Sequence, residues 1–224
     1  MSALGQALAI AKKDLRIEVR GRHVAGTILP FAGTLLIAFG LSLGPGRSLL
    51  RQTAPGLLWL AVLFASVLAF RQAYQAEGED GAFESLILAP IDKASVFLGK
   101  AAAVVVELLA LEAVVVGLVV VLFDLPVGHA PVVLAGAFVL GTIGLAVVGS
   151  LFGALAEMPR TREAIFPLLV LPLCTPVLVA GVKATELATT GPAGQAGSWL
   201  GLLLAFDVVV TGVGSLLFVY LVED

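Results

Sequence analysis

The sequence predicts an all-α integral membrane protein: six transmembrane helices, preceded by an N-terminal amphipathic helix lying in the membrane interface. Three observations carry this prediction. Hydrophobic residues make up 59% of the 224 residues, charged residues only 13%, and the mean hydropathy is +1.08, whereas a soluble domain is roughly 45–50% apolar. Six apolar runs are each long enough to cross the hydrocarbon core as a helix, which takes roughly 17–25 residues. Lysine and arginine concentrate in alternate connections, the bias that orients membrane helices. A chain of this length has room for the six spans and short connections, so one domain is expected and a separate soluble domain is not.

Residues 1–23 carry Lys12, Lys13, Arg16, Arg20 and Arg22, while Leu4, Leu8, Ala11, Leu15 and Val19 share one narrow sector at helical spacing. Such a helix buries its leucine stripe at the acyl boundary and turns Lys13, Arg16 and Arg20 toward headgroup phosphates. A solvated N-terminal helix is the plainer alternative. This segment lacks an apolar core followed by a cleavage site, so the first span is expected to act as the insertion signal. Residues 24–224 then form the transmembrane domain, with spans expected at 24–43, 54–70, 96–123, 131–156, 164–182 and 199–221. Turn chemistry separates them at Gly44-Pro45-Gly46, Asp80-Gly81, Asp124 to Pro131, Met158-Pro159 and Gly191 to Gly197.

With the N-terminus inside, the inner segments hold ten basic residues: the five above, Arg71, Lys93, Lys100, Arg160 and Arg162. The outer connections hold three, Arg47, Arg51 and Lys183. The split favours a cytoplasmic N-terminus, and an even number of spans places Glu223 and Asp224 on the same side.

Several chemistries are excluded. Cys174 is the only cysteine, so no disulfide framework or paired-thiol redox motif exists. Gly99-Lys100-Ala101 lacks both the glycine five positions before Gly99 and a hydroxyl residue after the lysine, so the chain has no phosphate-binding loop and is not expected to hydrolyse nucleotide itself. Nothing in the pattern suggests nucleic-acid binding. His23 and His129 stand far apart, and neither has a histidine partner nearby that would make a metal or haem ligand pair. No metal site or bound cofactor is expected, and no nucleophile and base pairing marks an intramembrane enzyme.

The most informative stretch is the expected inner loop 71–95. It contains Glu77, Glu79, Asp80, Glu84 and Asp92, and after the Asp80-Gly81 turn comes an apolar stripe of Phe83, Leu86 and Ile87, with Pro90 closing the segment. An amphipathic helix flanked by acids suits a basic-rimmed apolar groove on a cytosolic partner, and it equally suits folding back onto its own bundle. Three acids fall within spans: Glu107 and Glu112 in the third and Asp207 in the sixth. Acids at that depth face protein or water and are paired or protonated. Glu107 and Glu112 are five positions apart, about 140° around a helix, so they cannot form one paired site. They read as a polar lining or proton relay, or as interhelical hydrogen-bonding groups, the second being the simpler. The fifth span carries Pro167, Pro172 and Pro176. Each proline removes a helical N–H, so this span is expected to be kinked or broken and to turn toward other helices.

The stretches APGLLWLAVLFASVLAF (54–70), EGEDGAFESLILAP (77–90), LGK (98–100) and LPLCTP (171–176) resemble the CcmB family, the membrane subunits of the haem exporter in cytochrome c maturation. The similarity runs along most of the chain, and the Glu77 to Pro90 stretch followed by Lys100 is its most specific part. The resemblance implies an ABC-2 type permease in the bacterial inner membrane, with a coupling helix in the first cytoplasmic loop. It implies a permease homodimer with two copies of an ATPase subunit, CcmA, associated with CcmC and CcmD. ATP use would be linked to release of the haem-loaded periplasmic chaperone CcmE, with haem itself a possible substrate. Carried over to this chain, Glu77, Asp80, Gly81, Glu84 and Pro90 belong to the coupling segment. Glu107, Glu112 and Asp207 match no motif of that family. A different ABC-2 exporter, a proton-coupled secondary transporter using the buried acids, and a scaffold subunit are the competing readings.

Overall fold

The computed structural model describes residues 2–22, 24–78, 91–156 and 165–223, except for the side chains of 71–78, 154–156, 165–169 and 221–223. These residues form seven α-helices. Helix α1 (Ala3–Gly21) is the amphipathic N-terminal element, with Ser2 as its N-cap. After it a π-helical turn, Val24–Ile28, runs directly into α2 (Leu29–Leu43). The remaining helices are α3 (Arg47–Gly78), α4 (Lys93–Phe123), α5 (Pro131–Ala156), α6 (Ile165–Thr189) and α7 (Gly197–Glu223).

Six of these segments are long and apolar enough to cross a bilayer: Val24–Leu43, Arg47–Phe70, Lys93–Phe123, Pro131–Gly153, Val170–Thr189 and Ala193–Tyr220. Helices overrun several of the expected limits. Helix α3 takes in residues 71–78 of the expected loop, and α4 begins at Lys93 rather than at position 96. Helix α6 continues to Thr189, with Lys183 and Glu186 paired at 2.8 Å on its surface, so a charged turn that looked like a span end stays helical.

Helix α5 is the centre of the bundle and packs against α3, α4, α6 and α7; α1 packs chiefly on α4, and α2 on α3 and α4. Lipid tails are as apolar as leucine, so helices in a membrane associate through close packing and interhelical hydrogen bonds rather than through hydrophobic burial. Here the close packing is made by aromatic rings set against glycines. The fully buried Trp59 of α3 lies between Gly141 of α5 and Gly181 of α6, and a β-carbon at either position would collide with the indole, at 2.6 Å in the case of Gly181. Its Nε1–H donates to the Thr185 hydroxyl at 2.9 Å, and its ring stacks on Phe138, 5.8 Å between centroids. Phe70 occupies the space that a side chain at Gly149 would need, and Phe97 similarly faces Gly214. Phe97 also meets Phe218 at 5.4 Å, closing a second apolar cluster with Ile10, Val96 and Leu151.

The fifth span packs against α3, α5 and α7, but not through Pro172 or Pro176. Helix α6 runs unbroken through Pro172 and Pro176, and both prolines are exposed rather than turned toward other helices. Four residues apart, they share a face. The opposite face carries Val170, Cys174, Val177, Ala180 and Ala184, whose small volume lets α3 and α5 approach, and so it is the prolines that face outward. The Thr175 hydroxyl donates to the Leu171 carbonyl at 3.3 Å on this outer side. Pro167 lies in the first turn of α6, and its side chain is outside the described set.

Gly181→Ala is expected to destabilise the bundle by about 1–3 kcal/mol through overpacking against Trp59. Gly56→Ala, at a helical site with open space around it, should be neutral or slightly stabilising through helix propensity. Reversible SDS unfolding in mixed micelles separates the two, and equal effects would count against the Trp59 packing.

Candidate functional site

Of the expected coupling residues, Asp80, Gly81, Phe83, Glu84, Leu86 and Pro90 lie outside the described residues, and Glu77 falls at the end of α3 without a described side chain. What the structure does describe is the element that follows them. Asp92 is the N-cap of α4: its carboxylate accepts from the Ser95 N–H at 3.0 Å and from the Ser95 hydroxyl at 2.7 Å. These two hydrogen bonds favour the ionised form and hold the Asp92 carboxyl below its ordinary value of 3.8. Stability from this cap is therefore full above that value and is lost as pH falls through the lower, folded-state value.

Helix α1 is fastened to this same end of α4. The Gln6 side-chain carbonyl accepts from the Asp92 N–H at 3.2 Å. At Gly99 the two helices touch backbone to backbone, since a β-carbon there would sit 2.6 Å from the Ala7 carbonyl oxygen and 2.9 Å from Ile10. Next to this crossing, Lys100 is almost wholly buried and its ammonium lies 3.6 Å from Asp14, which also pairs with Lys13 at 3.0 Å. Glu107, half-buried on α4, lies within electrostatic reach of Glu18, Asp14 and Lys100. Glu18 in turn accepts from the Val24 N–H at 2.6 Å, capping the start of the first span, while Arg22 in the left-handed region ends α1. Sequence reading met Lys100 in the charge count, in the rejected phosphate loop and in the family resemblance, but gave it no partner and did not single out Asp14 or Glu18. The available signal was the pairing of a glycine with a lysine at the head of an apolar helix.

Glu112 and Asp207 lie deeper, on separate faces of α5. Glu112 is buried and accepts from the Thr142 hydroxyl at 2.7 Å, leaving its second oxygen without a partner. Asp207 is buried against Gly144, where a β-carbon would come within 2.8 Å of its carboxyl oxygen, and neither oxygen has a partner. Thr142 and Gly144 are two residues apart, about 200° around the helix, so α5 stands between the two acids. At the other end of the bundle Arg51 pairs with Asp124, and the exposed His129 sits in the turn before α5. Among the described residues no group of three His, Cys, Asp or Glu side chains could hold a metal ion.

Lys100→Ala is expected to cost about 3 kcal/mol, because it removes the buried cation between Asp14 and Glu107 and leaves Asp14 only the more exposed Lys13. Adding Asp14→Asn should recover part of that loss in the same unfolding assay. A Lys100→Ala protein as stable as the parent would show that the pair does not fasten α1.

The family model for "CcmB protein" matches residues 5–220. Heme exporter protein B of Pseudomonas aeruginosa is 30% identical over 205 residues, covering 91% of each chain. That of Bradyrhizobium diazoefficiens is 30% identical over 214 residues, 92% of each chain. The Paracoccus denitrificans protein of the same name is 32% identical over 186 residues, 82% of this chain and 84% of its own. With the match extending from α1 into the last turn of α7, this chain belongs to the CcmB family.

Proposed function

We propose that this chain is the membrane permease subunit of an ABC transporter complex acting in cytochrome c biogenesis, driven by a separate ATPase subunit. The observation that carries this reading is the family match over residues 5–220 in a chain with six membrane-length helices. The relatives are named heme exporter protein B. For this chain the corresponding cargo is haem, or the event driven is release of a haem-loaded chaperone. The partners that follow are a CcmA-like ATPase, CcmC-like and CcmD-like membrane subunits, a CcmE-like chaperone and a second copy of the chain. The bias of basic residues supports cytoplasmic termini, and the helical spans and bacterial relatives support placement in the bacterial inner membrane.

In this reading the ATPase engages the Glu77 to Pro90 segment. The described residues on its C-terminal side suggest how a push there would travel. Asp92 caps α4 immediately beyond the segment, and Gln6, Gly99 and the Lys100–Asp14 pair tie α1 to the same end of α4. Displacement of the segment would move α1 and the head of α4 together, and Glu18, bonded to Val24, would pass it to the first span.

A proton-coupled secondary transporter is favoured only by the unpartnered oxygens of Glu112 and Asp207. The intervening helix weakens it, since these acids do not form a continuous relay.

Phe83→Asp with Leu86→Asp is expected to abolish copurification of the ATPase subunit while leaving membrane insertion intact. Unchanged copurification would reject the segment as the docking element. Absence of any ATPase with the unaltered chain would reject the permease reading, and transport that then follows the proton gradient and fails in Glu112→Gln would install the alternative.

A further inference from the structure

Between α1 and α4 runs a groove of about 950 Å³, lined by Leu8, Ala11, Leu15 and Val19 of α1 and by Ala102 and Val106 of α4, and edged by Lys12, Arg16 and Arg20. Its apolar surface is open: Leu8 is 62% exposed, Val19 74% and Val106 50%. The three cations, at positions i, i+4 and i+8, share one flank of α1 beside the apolar stripe. All three are exposed, and among the described residues none makes an ion pair. Lys13, which the sequence pattern grouped with the headgroup-facing residues, is instead drawn to Asp14. Lys12 takes its place on the rim.

We infer that this groove is a binding site for an anionic phospholipid, with an acyl chain along Leu8, Leu15, Ala102 and Val106 and the phosphate held by Lys12, Arg16 and Arg20. Three features of the groove select that ligand. Its α4 wall lies within a membrane-length helix, so it is open to lipid from the side. Its floor is apolar along its length, which suits an acyl chain and not a free phosphate or a polar peptide. Its rim carries three cations that no anion among the described residues pairs with, which suits a negative headgroup. Haem is also an amphipathic anion, but the lining holds no histidine, cysteine, methionine or tyrosine to ligate iron. The site makes α1 and the head of α4 responsive to the charge of the surrounding leaflet. It stands independently of which molecule the complex transports.

The test uses the full-length protein in detergent, titrated separately with phosphatidylglycerol and phosphatidylcholine and followed by native mass spectrometry. Phosphatidylglycerol is expected to bind in preference to phosphatidylcholine. One basic residue near an anionic headgroup contributes roughly fivefold in affinity. Lys12→Gln, Arg16→Gln and Arg20→Gln together should therefore weaken phosphatidylglycerol by about a hundredfold, while phosphatidylcholine is unchanged. Ala102→Trp, at an exposed helical position, fills the groove without touching a charge and should weaken phosphatidylglycerol at least about tenfold, as expected for a chain-filled groove. Equal retention of the two lipids would overturn the inference, as would parental phosphatidylglycerol affinity in Ala102→Trp with its elution profile intact. Haem that displaces phosphatidylglycerol one for one, and no longer binds in Ala102→Trp, would assign the groove to haem and overturn it as well.

Discussion

Hydrocarbon offers no hydrogen-bond partner, so each polar group taken into the bilayer must find one within the protein or remain uncharged. The structure follows from that constraint. Backbone groups are satisfied by long helices, and hydroxyls within the spans turn back onto carbonyls of the preceding turn, as Thr34 does to Pro30 at 2.8 Å and Ser66 to Leu63 at 2.7 Å. Two of the polar groups that remain bond between helices. Trp59 to Thr185 joins α3 to α6, and Thr142 to Glu112 joins α5 to α4. Apolar burial cannot distinguish helix neighbours from lipid, so the bundle's specificity rests on these few bonds and on rings set against Gly141, Gly149 and Gly181.

The architecture was largely legible because hydropathy and basic-residue bias are local properties of the chain. The six spans, the amphipathic α1 and the small connections all appear as runs and stripes. The 77–90 stretch carried the family resemblance for a different reason: its acids, glycine turn and apolar stripe form a specific pattern outside the membrane, where composition is less constrained. What stayed hidden depends on contacts distant in sequence. Nothing local marks Gly181 as the neighbour of Trp59 or Asp14 as the partner of Lys100. The prolines of α6 misled for a related reason: a lost N–H predicts a need for protein neighbours, but the small residues on the opposite face decided which side of the helix was buried.

The arrangement also divides the chain between a fastened end and a more open one. At the head of α4, backbone contact at Gly99, the buried Lys100 and the Asp92 cap concentrate interactions within a few residues of the proposed coupling segment. The exposed faces of α6 and α7, including Pro172, Pro176, Val208 and Val209, are left for lipid or neighbouring subunits. A subunit that receives motion at one end and transmits it through spans is served by such a distribution, because a tightly tied receiving end moves as a unit.

Everything in this scheme requires the 79–90 segment and the N-terminus to lie on one side of the membrane and the α4–α5 turn on the other. In a Cys174→Ala background, single cysteines at Asp80 and at His129 can be probed with a membrane-impermeant maleimide in intact spheroplasts and again after permeabilisation. Labelling of the His129→Cys protein from outside, with Asp80→Cys reacting only after permeabilisation, is the expected result. Labelling of Asp80→Cys in intact spheroplasts, or equal accessibility of both positions, would contradict it.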